Sequence, residues 1–193
     1  MATSPSSLRE KIMTDVYQII EQLSPADASA ILHALASSDE TLAARITEMA
    51  LTRFDQIDVE GVSADLYDEL DALEVEEVWE RAGRKRHGYV ETGEAAYQMI
   101  EATLTPFLED LARYRKLGLR DEANRMCEGL LLGFYRFEHD SASRFKDWAP
   151  DAPISFAGKV MAAWKAGAPT KNDVESLRTF VAEELGRWGA NLV

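Results

Sequence analysis

Apolar residues recur along the chain at helical spacing. Leu8, Ile12, Val16, Ile19, Ile20 and Leu23 form one stripe of a helix. Ser7, with Glu10 three residues on, is the capping-box pattern ahead of it. Ser24-Pro25 restarts the pattern, with the serine as N-cap and the proline at the first helical position. Ala28, Ile31, Leu32 and Leu35 give that helix its face, and Ser38 or Asp39 caps a third carrying Leu42, Ile46, Met49 and Phe54. Joints of a few residues predict antiparallel neighbours. Gly61 interrupts the periodicity. Short helices are then expected from Ser63 to about Leu73 and from about Glu74 to Arg81, with Leu66, Leu70, Val75, Val78 and Trp79 as apolar positions. Gly83 to Gly93 holds three glycines and reads as a long loop, with a short strand at Tyr89-Val90 as the alternative.

From about Glu94 the helical period returns with Tyr97, Ile100 and Leu104. Pro106 is expected to kink or restart that helix, because proline lacks the N–H and clashes one turn back. Phe107, Leu108, Leu111 and Tyr114 continue to Leu117, and Gly118 suits a C-terminal cap. Asp121 starts the next helix. Its apolar residues, among them Met126, Leu130, Leu131, Phe134 and Phe137, cover more than one face, so it is expected to be the most central. Gly129 and Gly133 would let a neighbouring helix come close. Trp148 to Pro153 is a loop with two prolines, Phe156, Val160 and Trp164 follow on a helix, and Thr170 with Asp173 caps a final one. This is an all-α chain of about nine helices, expected as stacked antiparallel hairpins in an αα-superhelix-like arrangement. Residues 1–193 are read as a single all-helical domain, with possible sub-units 1–80 and 94–193 joined by a basic loop at 81–93.

Composition sharpens this only where it is uneven. Hydrophobic residues are 46% and charged residues 28% of 193, an ordinary globular balance. The net charge of −13 disfavours polyanions and anionic membrane surfaces. Residues 1–80 hold 4 Lys/Arg against 18 Asp/Glu, whereas residues 81–193 are nearly neutral. Asp55 to Glu80 contains 11 acidic residues and no Lys or Arg. The densest basic cluster follows at once, at Arg81 to Tyr89. No apolar run approaches a bilayer span and no secretory pattern opens the chain. With one cysteine, Cys127, no internal disulfide is possible, and a cytoplasmic location is expected.

Catalytic and metal patterns fail on spacing. Gly61 at position 6 of an EF-hand loop would put Gln56 at position 1 and Tyr67 at position 12, where acidic ligands are required. His33, His87 and His139 have Ala30, Arg84 and Arg136 three residues before them, so no Glu-x-x-His pair exists, nor a His four residues from another. Cys127 lies on an apolar face. Gly83, Gly88 and Gly93 match no phosphate loop. No catalytic residue, metal or cofactor is therefore assigned. Arg81, Arg84, Lys85, Arg86 and His87, with Tyr89 for stacking, are the candidate binding residues, being the types that hold phosphate or carboxylate. The same cluster also suits an intramolecular role, neutralising the acidic helices before it.

Leu23 to Leu42 resembles helical hairpins of uncharacterised bacterial proteins, some of which carry a SWIM-type zinc finger. Residues 94–137, with Gly118 before Asp121-Glu-Ala123, look like a tetratricopeptide-type hairpin. Neither the finger's cysteines nor the tetratricopeptide's consensus tryptophan and 34-residue period are present. The resemblance implies a helical-repeat scaffold and transfers no functional residue. The expected function is a non-enzymatic scaffold that binds a protein partner or itself. The alternatives are a nucleic-acid accessory protein acting through residues 81–89, and an enzyme with its site in a concave groove.

Overall fold

The computed structural model describes residues 16–54, 57–86 and 88–193. The capping box at Ser7 and Glu10, with Leu8 and Ile12, lies outside them, as does His87. The protein is all-α. The only strands among the described residues are two of three residues each. The chain divides into two compact units, residues 1–55 and 56–193.

In the first unit, residues 16–21 form α1, Pro25–Ser38 form α2 and Glu40–Phe54 form α3. Ser24 caps α2, its hydroxyl oxygen accepting from the Asp27 amide at 3.2 Å. Asp39, the single residue between α2 and α3, caps α3 by accepting from the Thr41 and Leu42 amides at 2.7 and 3.3 Å. The two helices pack on each other. No described side chain of this unit is buried.

The second unit contains α4 (Val59–Asp71), α5 (Val75–Arg81), β1 (Gly83–Lys85), β2 (Gly88–Val90), α6 (Thr92–Lys116) and α7 (Arg120–Asp140). A 3-10 turn (Arg144–Trp148), α8 (Ala152–Lys165), α9 (Lys171–Phe180), a π turn (Val181–Leu185) and α10 (Gly186–Gly189) complete it. As the pattern implies, α7 is central. It packs against α4, α6, α8 and α9 and buries ten residues. Leu66 and Leu70 of α4, Ile100 and Leu104 of α6 and Phe156 of α8 meet it in one core. The Phe134 and Phe156 rings stack there with centroids 6.2 Å apart.

Four expectations change in detail. Gly61 does not break α4. Asp58 caps the helix by accepting from the Gly61 amide at 3.0 Å, so the glycine sits in the first turn and the helix begins at Val59. The loop expected at 83–93 is a β-hairpin followed directly by α6, with the strand at Tyr89-Val90 realised as part of β2. Pro106 neither ends nor restarts α6, which runs for 25 residues. Pro106 and Ala102 are exposed, so the carbonyl that loses its helical partner faces water. The final helix is divided by the π turn at Val181–Leu185, after which Gly186 takes a positive φ of 53°.

Candidate functional site

The basic cluster folds as the end of one helix and a hairpin. Arg81 closes α5 and reaches back one turn to Glu77, with N–O 3.3 Å. Gly83 and Gly88 take φ of 89° and 141°, a region open to glycine, and so let the chain leave α5 and reverse. The register pairs Gly83 with Val90, Arg84 with Tyr89 and Lys85 with Gly88, and Arg86 lies in the turn between the strands. Directly opposed residues of an antiparallel pair share a face, so Arg84 and Tyr89 stand side by side. Tyr89 is 66% exposed, and Arg84 and Arg86 are exposed without an ion pair among the described residues.

Two residues of the acidic tract are engaged away from the basic cluster. Glu60 binds Arg136 of α7 at 2.7 Å, and the same guanidinium donates to the buried Ser63 hydroxyl at 3.2 Å. Asp71 accepts from the Ser141 hydroxyl at 2.5 Å. Glu77, by contrast, pairs with the basic cluster through Arg81.

A second feature adjoins the hairpin. Val75, Glu76 and Trp79 of α5 face Arg144, Asp147 and Trp148 of the 3-10 turn across a cleft of about 410 Å³. The two indoles are perpendicular, at 88°, with centroids 6.3 Å apart. Trp79 is 56% exposed and Trp148 is half-buried. The hairpin springs from the cleft's walls. It leaves α5 four residues after Trp79, and it returns into the first turn of α6, where Gly93 lies under the Trp148 carbonyl with room for a Cβ at 3.5 Å. Glu76, Arg144 and Asp147 line the cleft with no ion pair among the described residues.

The sequence singled out none of the cleft residues. Val75, Val78 and Trp79 are read there only as apolar positions of α5, of which Val78 is buried and Trp79 is exposed. Trp148 and Trp79 are 69 residues apart, and no spacing rule connects them. The local signal is weak: α5 is only seven residues long, too short to bury both sides.

Other candidates resolve as packing. Cys127 is buried, and desolvation pushes its thiol far above the ordinary range, away from nucleophilic chemistry. His139 is exposed near the end of α7, its Nδ1 2.8 Å from the Tyr135 carbonyl oxygen. Among the described residues no group of three His, Cys, Asp or Glu is arranged to hold a metal, and no helix is long and apolar enough to cross a membrane. Comparison with protein-family models, curated proteins and solved structures finds no match for the chain.

Proposed function

We propose that the protein is an interaction scaffold whose helical hairpin α2–α3 pairs with the same hairpin of a second copy. One observation carries this reading. Ten large apolar side chains between residues 16 and 54 are at least 36% exposed, and no described side chain of that unit is buried. Ile31, Leu32 and Leu35 on α2 and Leu42, Met49 and Leu51 on α3 are among them. A unit this small is marginal at enclosing its own core, and oligomerisation is one way in which such units are completed.

A second copy fits for two reasons. A two-fold axis brings identical apolar sets face to face, and two hairpins then make a four-helix bundle. The charges beside the apolar face are also self-complementary. Arg45 and Glu48 flank Met49 around an open hollow of about 540 Å³, and neither has an ion pair among the described residues. A two-fold places the arginine of one copy toward the glutamate of the other.

Sedimentation equilibrium tests the proposal. The wild-type chain should be dimeric at micromolar concentration, and Leu32→Glu with Leu35→Glu should be monomeric with the thermal transition of the second unit unchanged. A wild-type monomer at hundreds of micromolar refutes it. So does a dimer that survives the leucine changes and dissolves instead when Arg84, Lys85 and Arg86 are reversed in charge.

A further inference from the structure

We propose that the Trp79–Trp148 cleft is a binding site for an arginine side chain presented by a partner protein. The inference is independent of the hairpin pairing, because it rests on a different unit and different residues.

Four observations bear on the ligand's chemistry. Tryptophan is the aromatic side chain that best attracts a cation to its ring face. Two indoles at right angles form two sides of a cage, and the exposure of Trp79 leaves ring surface open to a ligand. A guanidinium is flat, stacks on indole and is weakly hydrated, so it loses little on leaving water for such a slot. Next come the carboxylates. Glu76 enters from α5 and Asp147 from the 3-10 turn, so acceptors line both walls. Neither is engaged by another described residue, and a carboxylate binds a guanidinium by two parallel N–H···O bonds.

The third observation is the surrounding charge. Arg144 offsets one of the two carboxylates, leaving the lining one charge negative. Residues 58–80 carry ten acidic residues and no Lys or Arg, but the basic cluster begins at Arg81, the last residue of α5, so the preference for a cation rests on the lining itself. The last is size. About 410 Å³, open to solvent, admits a long side chain with part of its backbone, and Val75 offers an apolar surface for the methylene stem.

The tryptophans themselves provide the test. The chain has four. Trp164 and Trp188 donate their indole N–H to Asn124 at 2.9 Å and to Glu138 at 2.7 Å, away from the cleft, and serve as internal controls. N-acetyl-arginine amide is titrated into the full-length chain, and the four indole N–H resonances are followed by NMR. N-acetyl-citrulline amide, of the same shape without the charge, is the matched probe. The arginine probe should move the Trp79 and Trp148 resonances and leave the controls in place. It should bind at least about tenfold more tightly than the citrulline probe, the ratio that corresponds to about 1.4 kcal/mol. Glu76→Gln with Asp147→Asn should remove that preference while all four resonances keep their dispersion. Equal binding of the two probes overturns the proposal. So do movement of all four resonances together, unchanged binding in the double variant, and tighter binding of N-acetyl-aspartate amide through Arg144.

Discussion

Two glycines one turn apart on α7 fix how closely α4 can lie. A Cβ built on Gly129 would come within 2.6 Å of the Val62 Cβ and 2.9 Å of the Val59 carbonyl oxygen. On Gly133 it would meet the Ser63 carbonyl oxygen at 3.0 Å. Much of each contact is backbone or the root of a side chain, which cannot swing away. Alanine at 129 gains about 1 kcal/mol of helix propensity, but overpacking a close helix contact costs about 1–3 kcal/mol or more. Gly129→Ala should therefore be destabilising by about 2 kcal/mol, seen as a lower urea midpoint with unchanged slope. A Cβ on Gly158 of α8 would have nothing within 4 Å. There the propensity stands alone, and Gly158→Ala should raise stability by roughly 0.5–1 kcal/mol. The Gly-x-x-x-Gly spacing is visible in the sequence. That its occupant is α4, and that Gly158 is free of such a neighbour, follows only from the packing.

At the scale of elements, α9 shows a local signal and its tertiary completion. Thr170 and Asp173 form the reciprocal cap that their spacing implies, with the Thr170 amide donating to Asp173 at 2.7 Å and the Asp173 amide to the Thr170 hydroxyl at 3.2 Å. The structure adds Asn124 of α7, which donates to Asp173 at 3.0 Å and accepts from the Trp164 indole of α8, so one amide ties three helices. The Thr170 backbone N–H and then its hydroxyl hold the Asp173 carboxyl below its ordinary range. A carboxyl held low in the folded state stabilises above its unfolded pKa. That contribution is lost as the pH falls below about 4 and through the folded value. Thr170→Ala should cost about 1 kcal/mol at neutral pH. Asp173→Asn should also lower the neutral stability and flatten its fall below about pH 4. Urea midpoints at neutral pH and across the acid limb check both. The hairpin at 83–90 is less legible. Its glycines announce a turn, but three-residue strands are too short for an alternating pattern, and either a loop or a strand satisfies the same residues.

For the whole molecule, burial among the described residues is confined to the second unit: each buried one lies between Ser63 and Gly189. Removing residues 1–55 should therefore leave a folded, cooperative protein whose thermal midpoint stays within about 3 °C, the shift that about 1 kcal/mol makes in a domain of this size. The same truncation should abolish the proposed pairing of α2–α3. Calorimetry checks the first expectation and sedimentation the second. The all-α class, the central place of α7, the caps of α2, α3 and α9 and the uneven charge were determined by the sequence alone. Each depends on side chains within a turn or two of one another, so periodicity and composition suffice to find it. Tertiary structure decided three further matters. It left the stripe of α2 and α3 exposed, because an amphipathic pattern says which face wants burial and not whether anything covers it. It engaged Glu60 with Arg136 of α7 and Asp71 with Ser141 just beyond it rather than with the basic cluster. It also brought Trp79 and Asp147 to opposite walls of one cleft, since contacts across tens of residues are set by how helices pack and leave no period in the chain.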